Sequence, residues 1–66
     1  MVIKLKNCKK GEFLHLLDKK GIPHKKVYQK GEYDRSARRY RIDDVDDISR
    51  DRLIAGERLV LIGFTY

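Results

Sequence analysis

The sequence predicts an α+β domain spanning residues 1–66: one small antiparallel or mixed sheet of about four strands, with an amphipathic helix packed on one face. The expected order is β-α-β-β-(short α)-β. Three observations carry this reading. The first residues alternate in polarity with a period of two. The next segment repeats its apolar residues at helical spacing and ends in a strong stop signal. Two later runs, rich in β-branched and aromatic residues, flank a polar turn.

In "VIKLK", Ile3 and Leu5 fall on one face and Lys4 and Lys6 on the other, the pattern of a half-buried strand. In "KKGEFLHLLDKKGIP", Phe13, Leu16 and Leu17 stand at i, i+3 and i+4, and the flanking lysines stay outside. This predicts an amphipathic helix of about three turns, with Asn7 as a candidate cap and Gly11 weakening the first turn. Lys19 and Lys20 suit a negative helix end, Gly21 suits a left-handed cap, and Pro23 forbids continuation. "KKVYQ" and "RRYRI" then read as hairpin partners around the polar run that holds Gly31. "DDVDDIS" breaks the pattern. Residues 49–56 read as a short helix with Asp46 and Asp47 near its positive end, or alternatively as a hairpin arm turning at "AG". "RLVLIGFTY" is the most apolar run and predicts the central strand.

Composition excludes several function classes. A chain of 66 residues makes one domain, and one that buries only about 60% of its unfolded surface. Cys8 is the single cysteine, so an internal disulfide is ruled out, and a lone thiol suits a reducing, cytoplasmic setting. Cys8, His15 and His24 lack the paired spacing of a structural zinc site. The longest apolar run, Leu59–Ile62, is four residues, far below the roughly 20 that a membrane span needs. The first residues carry no apolar leader core, so no membrane association is expected. No cofactor motif is present.

Charge is unevenly distributed. Residues 1–42 hold 13 Lys or Arg against 4 acids, whereas residues 43–66 hold 3 against 6. All nine lysines precede position 31, and all seven arginines follow position 34. Such a field attracts polyanions. Arginines neutralise phosphates and stack on bases, and tyrosine rings give stacking platforms indifferent to base identity. The sequence therefore points to an RNA or single-stranded DNA binder of low specificity. Its expected contact residues are Lys4, Lys6, Lys25, Lys26, Tyr28, Lys30, Tyr33, Arg35, Arg38, Arg39 and Arg41. A bland reading stands beside this: Tyr28 and Tyr40 as core residues, with arginines protecting an edge strand. The lysine pairs 9–10, 19–20 and 25–26 read as a phosphate-tracking belt or, the favoured reading, as solvation, with dipole compensation for Lys19 and Lys20.

A second class of function is a small inhibitor or regulatory module, in the style of phage or mobile-element modulators. It would dock on an acidic protein through its arginines, with Tyr33, Tyr40 and Tyr66 as anchors. If "LVLIGFTY" lay at a sheet edge, it could pair with a second copy to form a homodimer. A third is a metal-free ribonuclease built on His24 with Tyr33, Asp34 and Arg35. "EFLHLLDKKGI…QKGEY" loosely resembles the small interferase toxins built on a double-stranded-RNA-binding-like fold. Those carry a histidine just after the hairpin glycine, where this chain has Glu32 and Tyr33 after Gly31, so no catalytic residue is assigned. "DDVDD" is not a magnesium site, because neighbouring aspartates diverge. As a calcium loop starting at Asp44 it would place Ser49 where glycine is needed and Ala55 where glutamate is needed.

Overall fold

A computed structural model describes residues 1–47 and 49–65 of the chain. It is nearly all β. Six strands form one antiparallel sheet: β1 (Val2–Lys4), β2 (Phe13–Leu16), β3 (Tyr28–Asp34), β4 (Arg39–Asp44), β5 (Asp51–Ile54) and β6 (Leu59–Leu61). Their spatial order is β1-β6-β2-β3-β4-β5. The only helical element among the described residues is a single 3₁₀ turn, Leu5–Asn7. No helix among them is long and apolar enough to cross a membrane.

The α+β expectation is therefore corrected: residues 9–20 form no helix. Within them, β2 points Leu14 and Leu16 into the core while Phe13 and His15 stay outside. Phe13, Leu16 and Leu17 fit a helical stripe, yet Leu14 and Leu16 equally fit a period of two. Length decides between them. Gly11, with φ 86°, precedes this short run, and a turn at Asp18–Gly21 closes it, leaving too few residues for a stable helix, which needs about 10–12. Its backbone groups are satisfied across two neighbours instead. Phe13 and Leu14 pair with Gln29 and Tyr28 of β3, and His15 and Leu16 pair with Leu61 and Val60 of β6. The short helix over 49–56 is likewise replaced by β5, which pairs with β4 from Tyr40↔Ile54 to Asp43↔Asp51. Only Ile54 of β5 is buried, as suits an edge strand.

Because β2 passes from β3 to β6 halfway along its length, the sheet folds over on itself. Leu5, Cys8, Leu14, Leu16, Tyr28, Ile42, Ile54 and Val60 fill the space between its halves. The 3₁₀ turn closes one side: Leu5 N donates to Arg58 O at 2.8 Å and Lys6 N to Gly56 O at 3.0 Å. At that closure Gly56 lies against Tyr40, and a Cβ there would stand 2.9 Å from the ring. Strand β6 lies between β1 and β2, so it has no free edge for pairing with a second copy; the sheet edges are β1 and β5.

Candidate nucleic-acid interface

The β3–β4 hairpin carries four arginines, Arg35, Arg38, Arg39 and Arg41, at and beside its tip. Its tip is a four-residue turn, Arg35–Arg38, closed by the pair Asp34↔Arg39. Asp34 builds the turn: its Oδ1 accepts hydrogen bonds from Ser36 N at 2.9 Å and Ala37 N at 3.1 Å. Arg38 closes it with φ 55°, the left-handed conformation that L-residues adopt at a cost. A bulge interrupts the ladder between Lys30 and Tyr33 and sets Tyr33 opposite Tyr40. Their ring centroids are 4.8 Å apart at an interplanar angle of 59°. Tyr33 remains 47% exposed.

Beside the tip runs a groove of about 340 Å³, bordered by Glu32, Tyr33, Asp34, Arg35, Arg41 and Leu53. Its acids are already engaged. Glu32 pairs with Lys10, which holds the carboxyl below its ordinary range, and Asp34 is occupied by the turn backbone. Among the described residues, Arg35, Arg38 and Arg39 form no ion pair. This leaves three exposed guanidinium groups and one exposed ring at the end of a two-stranded ribbon.

The other expected contact residues are placed differently. Lys4 and Lys6 both clamp Glu57, at 2.9 and 2.8 Å. The hydrogen bond from Lys6, then that from Lys4, pulls the Glu57 carboxyl down to about 2, and Lys6 is raised in turn. Lys26 pairs with Asp44 at 3.2 Å. Arg41 lies between Asp43 at 3.2 Å and Asp51 at 3.1 Å. Tyr28 is a core residue. Lys30 is only 7% exposed; its ammonium donates to Cys8 O and sits 4.4 Å from the centroid of the Tyr40 ring. Lys25 is exposed in the β2–β3 loop, at the far end of β3 from the tip. The expected patch thus separates into a free tip and several neutralised or buried cations.

His24 belongs to the same β2–β3 loop, so β3 separates it from Tyr33, Asp34 and Arg35. The aspartate run has structural partners. Asp44, 2% exposed, accepts from Asp46 N at 2.9 Å; that bond and Lys26 outweigh burial and lower its carboxyl. Asp47 accepts from Ser49 N and pairs with Arg50. No group of three or more His, Cys, Asp or Glu among the described residues could hold a metal ion. Tyr66, one of the expected anchors, lies outside the described residues.

Sequence reasoning weighed Lys19 and Lys20 only as one of three lysine pairs and did not join them to Arg58, with which they border a cleft between the β2–β3 loop and the β5–β6 turn. The detectable signal was "DKKG", which is an Asx-turn signature as well as a helix stop. No protein-family model matches the chain, and no curated protein or solved structure matches it significantly.

Proposed function

We propose that the protein binds RNA or single-stranded DNA with low sequence specificity, using the tip of the β3–β4 hairpin. The observation that carries this reading is three arginines, Arg35, Arg38 and Arg39, that form no ion pair among the described residues, beside an exposed Tyr33 while the nearby carboxylates are engaged. Guanidinium groups in this setting neutralise phosphates, and the Tyr33 ring offers a stacking platform. Arg41 is available as a reserve: an exposed ion pair is worth only ~0.2–1 kcal/mol, so a polyanion can compete with Asp43 and Asp51 for it. The cytoplasm, where the single thiol stays reduced, is the setting we assign.

The experiment is a titration of the labelled chain with short RNA and DNA strands at low salt, read as amide chemical-shift changes along the sequence. The expected result is saturable change centred on residues 33–41. Change spread evenly over all lysine segments, or no change at all, overturns the proposal.

A second reading, docking on an acidic partner protein, is favoured by the exposed apolar side chains Val2, Phe13 and Leu59, which a phosphate binder does not require. Capture from nuclease-treated lysate separates the two: a protein partner retained through Arg35 and Arg39 supports docking, and loss of all capture supports nucleic acid.

A further inference from the structure

We infer that the cleft between the β2–β3 loop and the β5–β6 turn is a second binding site, one that takes a small organic phosphate: a phosphate monoester with an apolar body. The inference is independent of the hairpin tip, from which β3 separates it. The cleft measures about 810 Å³, within the roughly 300–1,000 Å³ typical of small-molecule sites. Leu17 and Leu59 supply its apolar surface, and Leu59 is 49% exposed although it begins an interior strand.

Both walls are held rigid by the chain itself. In the β2–β3 loop, Asp18 Oδ1 accepts from Lys20 N at 2.8 Å and Ile22 N at 2.9 Å. Gly21, at φ 81°, donates its N–H to Asp18 O, and Asp18 N donates to Ile22 O. His24 N is tied to Leu16 O at 2.8 Å. On the opposite wall Arg58 donates from Nη2 to Leu17 O at 2.9 Å, which fixes its guanidinium across the cleft. A guanidinium has five N–H donors, and this contact uses one.

The charges in the cleft are sorted in a way that favours an anion. Its two acids are occupied: Asp18 by loop N–H groups and Glu57 by Lys4 and Lys6. Its cations are not: among the described residues Lys19, Lys20 and Arg58 have no carboxylate partner. Two ammonium groups and an Arg fork match a dianionic phosphate better than a monoanionic carboxylate. The adjacent leucines add affinity for an apolar body and none for a free ion. A preformed wall also lowers the ordering cost of binding.

The test is a titration of the full chain with phenyl phosphate, inorganic phosphate and phenol, read by amide shifts. Phenyl phosphate is expected to give saturable shifts confined to residues 17–24 and 57–59. Inorganic phosphate and phenol should each bind at least about tenfold more weakly. Lys20→Gln, at an exposed position that leaves the Arg58 tether intact, should weaken phenyl phosphate several-fold, and Arg58→Gln should weaken it further. Replacing Arg35, Arg38 and Arg39 by Gln should leave this binding unchanged, so failure at the tip and failure at the cleft are read separately. Absence of saturation, equal affinity for inorganic phosphate, or shifts centred on the hairpin tip would each overturn the inference.

Discussion

Arg38→Gly should make the protein more stable and bind more weakly. Arg38 holds φ 55° in the last position of the hairpin turn, a conformation that costs an L-residue roughly 1–2 kcal/mol. Glycine adopts it freely, at an entropic penalty of roughly 0.5–1 kcal/mol for its greater freedom in the unfolded chain. The net expectation is a gain of about 0.5–1 kcal/mol, which in a domain this small raises Tm by about 2–8 °C. The same change removes one of the three guanidinium groups at the tip that have no ion pair among the described residues, so the salt slope of single-strand binding should flatten by about 0.7. Arg38→Ala is the control: it removes the charge and keeps the left-handed cost, so it should weaken binding without the gain in Tm. Thermal melts by circular dichroism and fluorescence anisotropy at several salt concentrations read both quantities. A fall in Tm for Arg38→Gly would refute the reasoning, because it would mean that the Arg38 side chain is engaged in holding the turn and is not free for a ligand.

Gly56→Ala should destabilise by about 1–3 kcal/mol, because its Cβ would meet the Tyr40 ring at 2.9 Å and Lys6 Cβ at 3.1 Å; adding Tyr40→Leu should recover part of the loss in denaturant melts, and strict additivity would contradict the assigned contact. The Glu57 carboxyl lies near 2 in the folded protein against its ordinary 4.5, so its contribution is complete above about pH 4.5 and is lost as pH falls towards 2; Glu57→Gln should flatten that acid limb of Tm against pH, and an unchanged limb would count against the clamp. Burial, and after it the neighbouring Glu12, pushes the Cys8 thiol up to about 11. Alkylation of the native protein should therefore be slow at pH 8, and the stability linked to the neutral thiol should fade as pH rises from about 9 towards 11; reaction at a free-thiol rate would contradict the burial.

Parts of this architecture are legible in the sequence and parts are not, for physical reasons. That residues 27–42 form a hairpin is readable because Tyr28, Tyr40 and Ile42 alternate around a polar run; the turn itself is not where Gly31 suggests, since β3 continues through Asp34 and the chain reverses at Arg35–Arg38. The tip cluster is readable from the same stretch. Segment 13–17 is not, because its leucines satisfy two periods at once and the turn that cuts it short is written in "DKKG", which also reads as a helix stop; Tyr28 and Val60, distant in sequence, then hold the extended form. The fate of individual cations is hidden still more deeply. Gly31 beside Lys30 is a local signal for the bulge, but nothing in the sequence announces the burial of Lys30 beneath Tyr40, and Glu57 is more than fifty residues from the two lysines it neutralises. A charge count reports the field of the chain; tertiary pairing decides which charges remain available.

The most direct measurement is the salt dependence of single-strand affinity for the wild-type protein and for the variant with Arg35, Arg38 and Arg39 all changed to Gln. With about three phosphates neutralised at the tip, the wild-type slope of log K against log salt should lie near −2, and the variant slope should approach zero with most of the affinity lost. Equal slopes and equal affinities in the two proteins would show that the hairpin tip is not where the polyanion sits.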